Sequence, residues 1–134
     1  MVLSASQVAS DIGEYVKHLS RAISVSKAIL YGSYAYGQPH AWSDVDVLIL
    51  SPDFSKMERL RRFEFLHRVA WEAGADLLEP VGLTPEEFEA GSPLSLLGEV
   101  KERGIVVYDS TVPKSKRTRG KAKPAARRPE PPER

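Results

Sequence analysis

The run Val45-Asp46-Val47-Leu48-Ile49-Leu50 constrains the fold more than any other stretch, being apolar throughout except for one acid at its second position. A short continuous apolar run of this kind reads as a buried central strand. An acid inside it calls for a reason, because carboxylates are almost never buried unless paired. Side chains on a strand alternate between faces, so Asp44 and Asp46 point the same way while Val45 and Val47 point into the core. Two carboxylates converging on one patch repel each other unless a cation sits between them. Oxygen-only ligation suits a hard ion such as Mg²⁺, which takes one or two protein carboxylates and completes its shell with water and phosphate.

The rest of the chain supplies neighbours for that strand. Val8, Ile12, Tyr15/Val16, Leu19 and Ile23 recur every three or four positions, which predicts an amphipathic helix from Ser4 to about Ile23. Val25 to Tyr31 reads as a strand running into a Gly32-Ser33 turn, and residues 34–43 as a helical turn followed by a loop. A second long helix is expected over Ser55 to Ala73, with Met57, Leu60, Phe63, Leu66 and Ala70 inward and Arg59, Arg61, Arg62 and Arg68 largely outward. Trp71 reads as helix core, and Gly74 as the stop. Ala75 to Leu83 gives a third strand. Thr84-Pro85-Glu86-Glu87 starts a helix, with a Thr cap, Pro at the first position and acids in the first turn. Ser92-Pro93 repeats the device before a helix ending near Arg103 and Gly104, and Ile105 to Tyr108 is a last strand. The expected class is α/β (α+β), a small mixed sheet with helices packed mainly on one face.

Gly32-Ser33 closes one strand just before a helical turn. Glycine lets backbone approach a ligand closely, and the leading N–H groups of a helix with a serine hydroxyl beside them suit phosphate. Ten residues separate Ser33 from Asp44, enough for a turn, a loop and a return on the neighbouring strand. Phosphate turn and metal pair would then meet at one edge of the sheet.

Gly32-Ser33, ten residues and Asp44-Val45-Asp46 together resemble the polymerase β-type nucleotidyltransferases, in particular their smallest, single-domain members. The resemblance runs from about Ser24 to Asp109 and includes Ser43 before the acids and the strand leading into Leu83-Thr84-Pro85. It implies that Gly32, Ser33 and Ser43 bind nucleotide and that Asp44 and Asp46 coordinate two Mg²⁺ ions. ATP is the implied donor. A third carboxylate is implied on the next strand, where Asp76 and Glu79 fall on opposite faces. Residue type favours Asp76. Glu79 is favoured by standing five residues before Thr84, where family members tend to carry an acid. Tyr36 departs from the pattern, since relatives often have Arg or Lys there to meet the triphosphate.

The smallest members of the family commonly pair with a helical HEPN-type protein, often an RNase toxin, and act as antitoxins by moving AMP onto a partner tyrosine. That is the first function expected. A small-molecule transferase of the aminoglycoside-modifying kind, completed by dimerisation, is the second; a catalytically silent module that neutralises its partner by contact is the third. His18, His40 and His67 have no ligand spacing and read as structural or solvated. Trp42 reads as packing over the core edge.

Charge divides the chain. Residues 110–134 carry nine Lys/Arg against Glu130 and Glu133, a net +7, so the overall +1 leaves −6 on residues 1–109. We therefore expect a nucleotidyltransferase domain over 1–109 and a disordered basic tail over 110–134, which could touch nucleic acid through phosphates. No long apolar run crosses a membrane and no cysteine occurs, so a cytoplasmic setting is the default.

Overall fold

The computed structural model describes residues 3–37, 39, 44–91 and 95–112. His40, Trp42, Ser43, the Ser92-Pro93 pair and tail residues 113–134 lie outside the described residues, so the expectations placed on them are not addressed by the structure.

The elements are α1 (Ala5–Leu19), β1 (Lys27–Tyr31), α2 (Ser33–Tyr36), β2 (Val45–Leu50), a 3₁₀ turn (Pro52–Lys56), α3 (Arg59–Glu72), β3 (Leu78–Leu83), α4 (Pro85–Glu89), α5 (Leu96–Arg103) and β4 (Ile105–Asp109). The sheet order is β3-β2-β1-β4. β1 is antiparallel to β2 and β4, whereas β2 and β3 run parallel. The apolar run thus lies inside the sheet, flanked on both sides.

Alternation along the strands makes two cores. On one face Val45, Val47 and Ile49 meet Ala28 and Leu30, covered by Val8, Ile12, Tyr15, Val16 and Leu19 of α1 and by Leu66, Val69 and Ala70 of α3. The two long helices therefore share a face, as expected. On the other, Ile29, Tyr31, Leu48, Leu50 and Leu83 meet Phe88 of α4 and Val100 of α5. Those short helices cover only part of it. Among the described residues, neither short helix packs against Asp46, which is half-buried.

Helix α1 begins at the Ser4 cap, whose hydroxyl accepts from the Gln7 N–H. It stops at Leu19, short of Ile23, because bonds of the Ala22-to-Leu19 kind tighten the next turn out of helical register. Ile23 still packs on the core. Leu78 rather than Ala75 opens β3, and Asp76 sits in the preceding turn. The cap of α5 is Ser95, which accepts from the Leu97 N–H.

Helix α3 departs most from expectation. It starts at Arg59 after the 3₁₀ turn that buries Phe54, and its inward face is Arg62, Leu66, Val69 and Ala70. Leu60 (66 % exposed), Phe63 (55 %) and Trp71 (74 %) face outward instead of into the core. The reason is Arg62, only 6 % exposed. Its Nε donates to the Met57 carbonyl (2.9 Å), Nη1 to the Gly82 carbonyl (3.2 Å) and Glu87 Oε1 (2.7 Å), and Nη2 to the Phe54 carbonyl (2.7 Å) and Glu87 Oε2 (3.1 Å). A guanidinium has five donors, and all five are used. That demand rotates the helix. Glu87 in turn belongs to the α4 capping box with Thr84.

These hydrogen bonds hold the Glu87 carboxyl down from the usual 4.5 to about 2, with Arg62 the first cause and the Thr84 N–H the second. A carboxylate whose folded pKa is depressed adds stability above its unfolded pKa and loses it as pH falls through the folded value. Glu87→Gln should therefore flatten the decline of stability between pH 4.5 and about 2, read from urea midpoints across that range. Arg62→Ala, which strands a carboxylate and three carbonyls, should cost about 3–5 kcal/mol in the same assay.

Candidate functional site

The end of the sheet that carries Asp46 is built by strand register. Tyr31 pairs with Asp46 across β1 and β2, and Asp46 pairs with Glu79 across β2 and β3. Paired residues on adjacent strands project to the same face. Tyr31, Asp46 and Glu79 therefore form a row across three strands, with exposed Asp44 at the mouth of β2. Of the two candidates for a third acid, the structure sets Glu79 beside Asp46. Asp76 precedes the strand and is exposed.

Burial pushes the Asp46 carboxyl up from its ordinary value, and the charges of Asp44 and Glu79 push it the same way. Burial also drives the Tyr31 phenol up to about 12, helped by the charges of Asp46, Tyr36 and Glu79. Tyr31 thus stays protonated as a donor among acids. Negative charge is concentrated here without a described cation in the row. An oxygen-only donor set held together against repulsion is the chemistry that a hard divalent ion relieves. Among the described residues no group of three or more His, Cys, Asp or Glu could hold a metal ion by itself. Two carboxylates completed by water and phosphate fit Mg²⁺ better than a closed protein cage.

Gly32 follows Tyr31 directly and lies against Asp46. A Cβ at Gly32 would fall on Asp46 Oδ2 and stand 3.2 Å from Cγ. Its φ of 78° lies in the left-handed region, which side chains rarely adopt. From there the chain enters α2, where the Ala35 and Tyr36 N–H groups both donate to the Gly32 carbonyl (3.0 and 3.1 Å). The leading N–H groups of such a turn have no partner within the helix. Gly32 thus lies directly against Asp46.

Three residues join this region without having been singled out as site residues. Tyr31 could have been found as the residue before Gly32. Glu99 and Arg103 carry no sequence signal, because they reach Tyr36 from 63 and 67 residues away. His67, expected to be structural or solvated, places Nε2 3.7 Å from Glu79 Oε1 while its Nδ1 meets the Phe63 carbonyl at 3.0 Å.

The profile of the nucleotidyltransferase domain family matches residues 10–107. No curated protein matches the chain. Among solved structures, a candidate nucleotidyltransferase from Sulfolobus solfataricus is similar over 78% of this chain and 82% of its own, with a TM-score of 0.59 at 16% identity. A toxin–antitoxin with AMP-PNP is similar over 72% of each chain, with a TM-score of 0.53 at 23% identity. A mutant of the toxin–antitoxin MntA–HpeT, in which two aspartates two positions apart are glutamates, is similar over 78% of this chain and 76% of its own, with a TM-score of 0.52 at 21% identity. These likenesses identify the fold as that of the polymerase β-like nucleotidyltransferases.

Gly32→Ala should lose both the left-handed turn and the contact with Asp46. The expected cost is about 1–3 kcal/mol in urea denaturation.

Proposed function

The chain belongs to the nucleotidyltransferase domain family, and from that premise we propose that it moves AMP from ATP to a hydroxyl of a protein partner. The partner is a HEPN-type helical toxin, the acceptor is a tyrosine, and this chain is the antitoxin. The observation that carries the reading is the contact of Gly32 with Asp46, with Glu79 in register beside it. One turn suited to phosphate and one carboxylate pair meet at the same sheet edge.

The Gly32-Ser33 turn lies along the β- and γ-phosphates and fixes the triphosphate with its α-phosphorus toward Asp46. Asp44 and Asp46 would hold Mg²⁺, which when bound neutralises phosphate charge and polarises the reacting oxygens. Glu79, in register beside Asp46, takes the proton of the acceptor hydroxyl in this reading. That oxygen attacks the α-phosphorus, a P–O bond forms, and the bond to pyrophosphate breaks. Tyr31, whose phenol burial pushes up to about 12, stays neutral beside the acid row. In-line displacement asks little else of the protein beyond positioning and charge.

Support for a protein acceptor comes from the outer surface of α3. Phe63, His67 and Trp71 recur at helical spacing, Leu60 lies one turn earlier, and the Phe63 and His67 rings stack with centroids 4.1 Å apart. Through His67 this face adjoins Glu79, and Leu77 just before β3 and Val81 within it are exposed too. Several large exposed apolar side chains around one acid suit a surface on which another protein sits. Pro80 within the edge strand opposes strand addition, which favours a helical partner. Two of the similar folds are toxin–antitoxin proteins, one of them with AMP-PNP.

The decisive experiment incubates the chain with labelled ATP, Mg²⁺ and the protein encoded beside it. Label should pass to the partner's tyrosine, and Asp44→Asn/Asp46→Asn should abolish transfer and fail to neutralise the partner in cells. If the double mutant protects as well as the wild type and no label moves, the chain is a binding module. Label on a small hydroxyl compound alone would instead point to the aminoglycoside-type activity. Trp71→Glu should leave the urea midpoint within about 0.5 kcal/mol of wild type while lowering partner labelling at least about tenfold.

A further inference from the structure

A triphosphate brought to this site meets a shortage of positive charge. No Lys or Arg occurs between Lys27 and Lys56, the stretch that forms both inner strands and the Gly32-Ser33 turn. None occurs between Arg68 and Lys101, which forms β3, α4 and most of α5. Lys27 stands at the far end of β1, opposite Leu50. Arg62 is consumed by Glu87 and three carbonyls. Lys101 donates to the Glu89 carbonyl at 2.9 Å and lies over the Phe88 ring, at the end of α4. Arg103 is left.

Its placement is specific. The Arg103 guanidinium carbon lies 4.2 Å from the centre of the Tyr36 ring, and Nη2 donates to the Tyr36 carbonyl at 3.4 Å. Nη1 is 3.6 Å from Glu99 Oε2, while the Tyr36 hydroxyl donates to Glu99 Oε1 at 3.1 Å. Tyr36 itself is tied to the phosphate turn, since its N–H donates to the Gly32 carbonyl. A surface arginine ordinarily keeps much rotamer freedom, whereas this one is held by ring, carbonyl and carboxylate together. Beyond the bonds to the Tyr36 carbonyl and the Glu99 carboxylate, the guanidinium has further donors to offer a ligand. Planar donors on a fixed cation are what bidentate recognition of phosphate requires.

We propose that Arg103, seated on the Tyr36 ring, binds the phosphate chain of the nucleotide at the Gly32-Ser33 turn. The inference rests on the nucleotidyltransferase reading of that turn. It makes α5 part of the nucleotide site and gives Tyr36 a purpose: an aromatic shelf for a cation delivered from elsewhere in the chain. Glu99 is then a positioning residue, fixing both the shelf and the guanidinium.

Calorimetric titration of the full chain with ATP and with AMP, in Mg²⁺ and without acceptor, tests this. Wild type should bind ATP more tightly than AMP. Arg103→Gln should weaken ATP by about ten- to a hundredfold, the range for a hydrogen-bonded charge, and leave AMP unchanged. Arg103→Lys should recover only part of the loss, because it restores charge without the planar fork. Tyr36→Ala, which removes the shelf, should behave like Arg103→Gln. If Arg103→Gln leaves the ratio of ATP to AMP affinity unchanged, the guanidinium merely ties α5 to α2 and the inference fails while the function stands. If wild type shows no preference for ATP over AMP, both fail.

Discussion

The register of β2 against its two neighbours is the constraint on which the site depends. Antiparallel pairing with β1 sets Tyr31 opposite Asp46, and parallel pairing with β3 sets Glu79 opposite Asp46 on the other side. A slip of one residue on either side would turn Asp46 into the core packed by α1 and α3. The alternation that buries Val45, Val47 and Ile49 on that face is what prevents it. Hydrophobic burial thus specifies the position of the carboxylates. The price of keeping an acid on an inner strand is visible in Asp46, whose carboxyl is raised by burial and by two neighbouring charges.

A second constraint acts from behind. Arg62 gathers the Phe54, Met57 and Gly82 carbonyls and the Glu87 carboxylate around one guanidinium. It thereby joins the 3₁₀ turn after β2, helix α3, the end of β3 and the start of α4. Each of those segments carries backbone groups that regular structure leaves over, and one buried cation satisfies them together. The same interaction turns Leu60, Phe63 and Trp71 outward. An apolar surface beside Glu79 is therefore a consequence of how the fold is held.

Both features bear on chemistry through placement. Among the described residues, α4 and α5 pack on the second face through Phe88 and Val100. α5 also reaches α2 through Arg103, Tyr36 and Glu99. The first strand-turn and the last helix meet only in the folded molecule.

Much was legible in residue order because it rests on local physics. The apolar run with its acid, the Gly32 turn, the Thr84 capping box and the two-residue spacing of Asp44 and Asp46 each report short-range requirements of dihedral angle, periodicity or capping. Sequence alone therefore determined the sheet, its central strand and the acid pair. Tertiary structure decided what depends on distant partners. Arg62 looked like a solvated residue because its carbonyls and Glu87 come from other segments, and with it went the facing of Leu60, Phe63 and Trp71. The choice of Glu79 over Asp76 as Asp46's neighbour needed the β2–β3 register, and the cation at Tyr36 needed a contact across 67 residues. Local pattern fixes which elements form. The mutual satisfaction of buried charge and backbone fixes how they face one another.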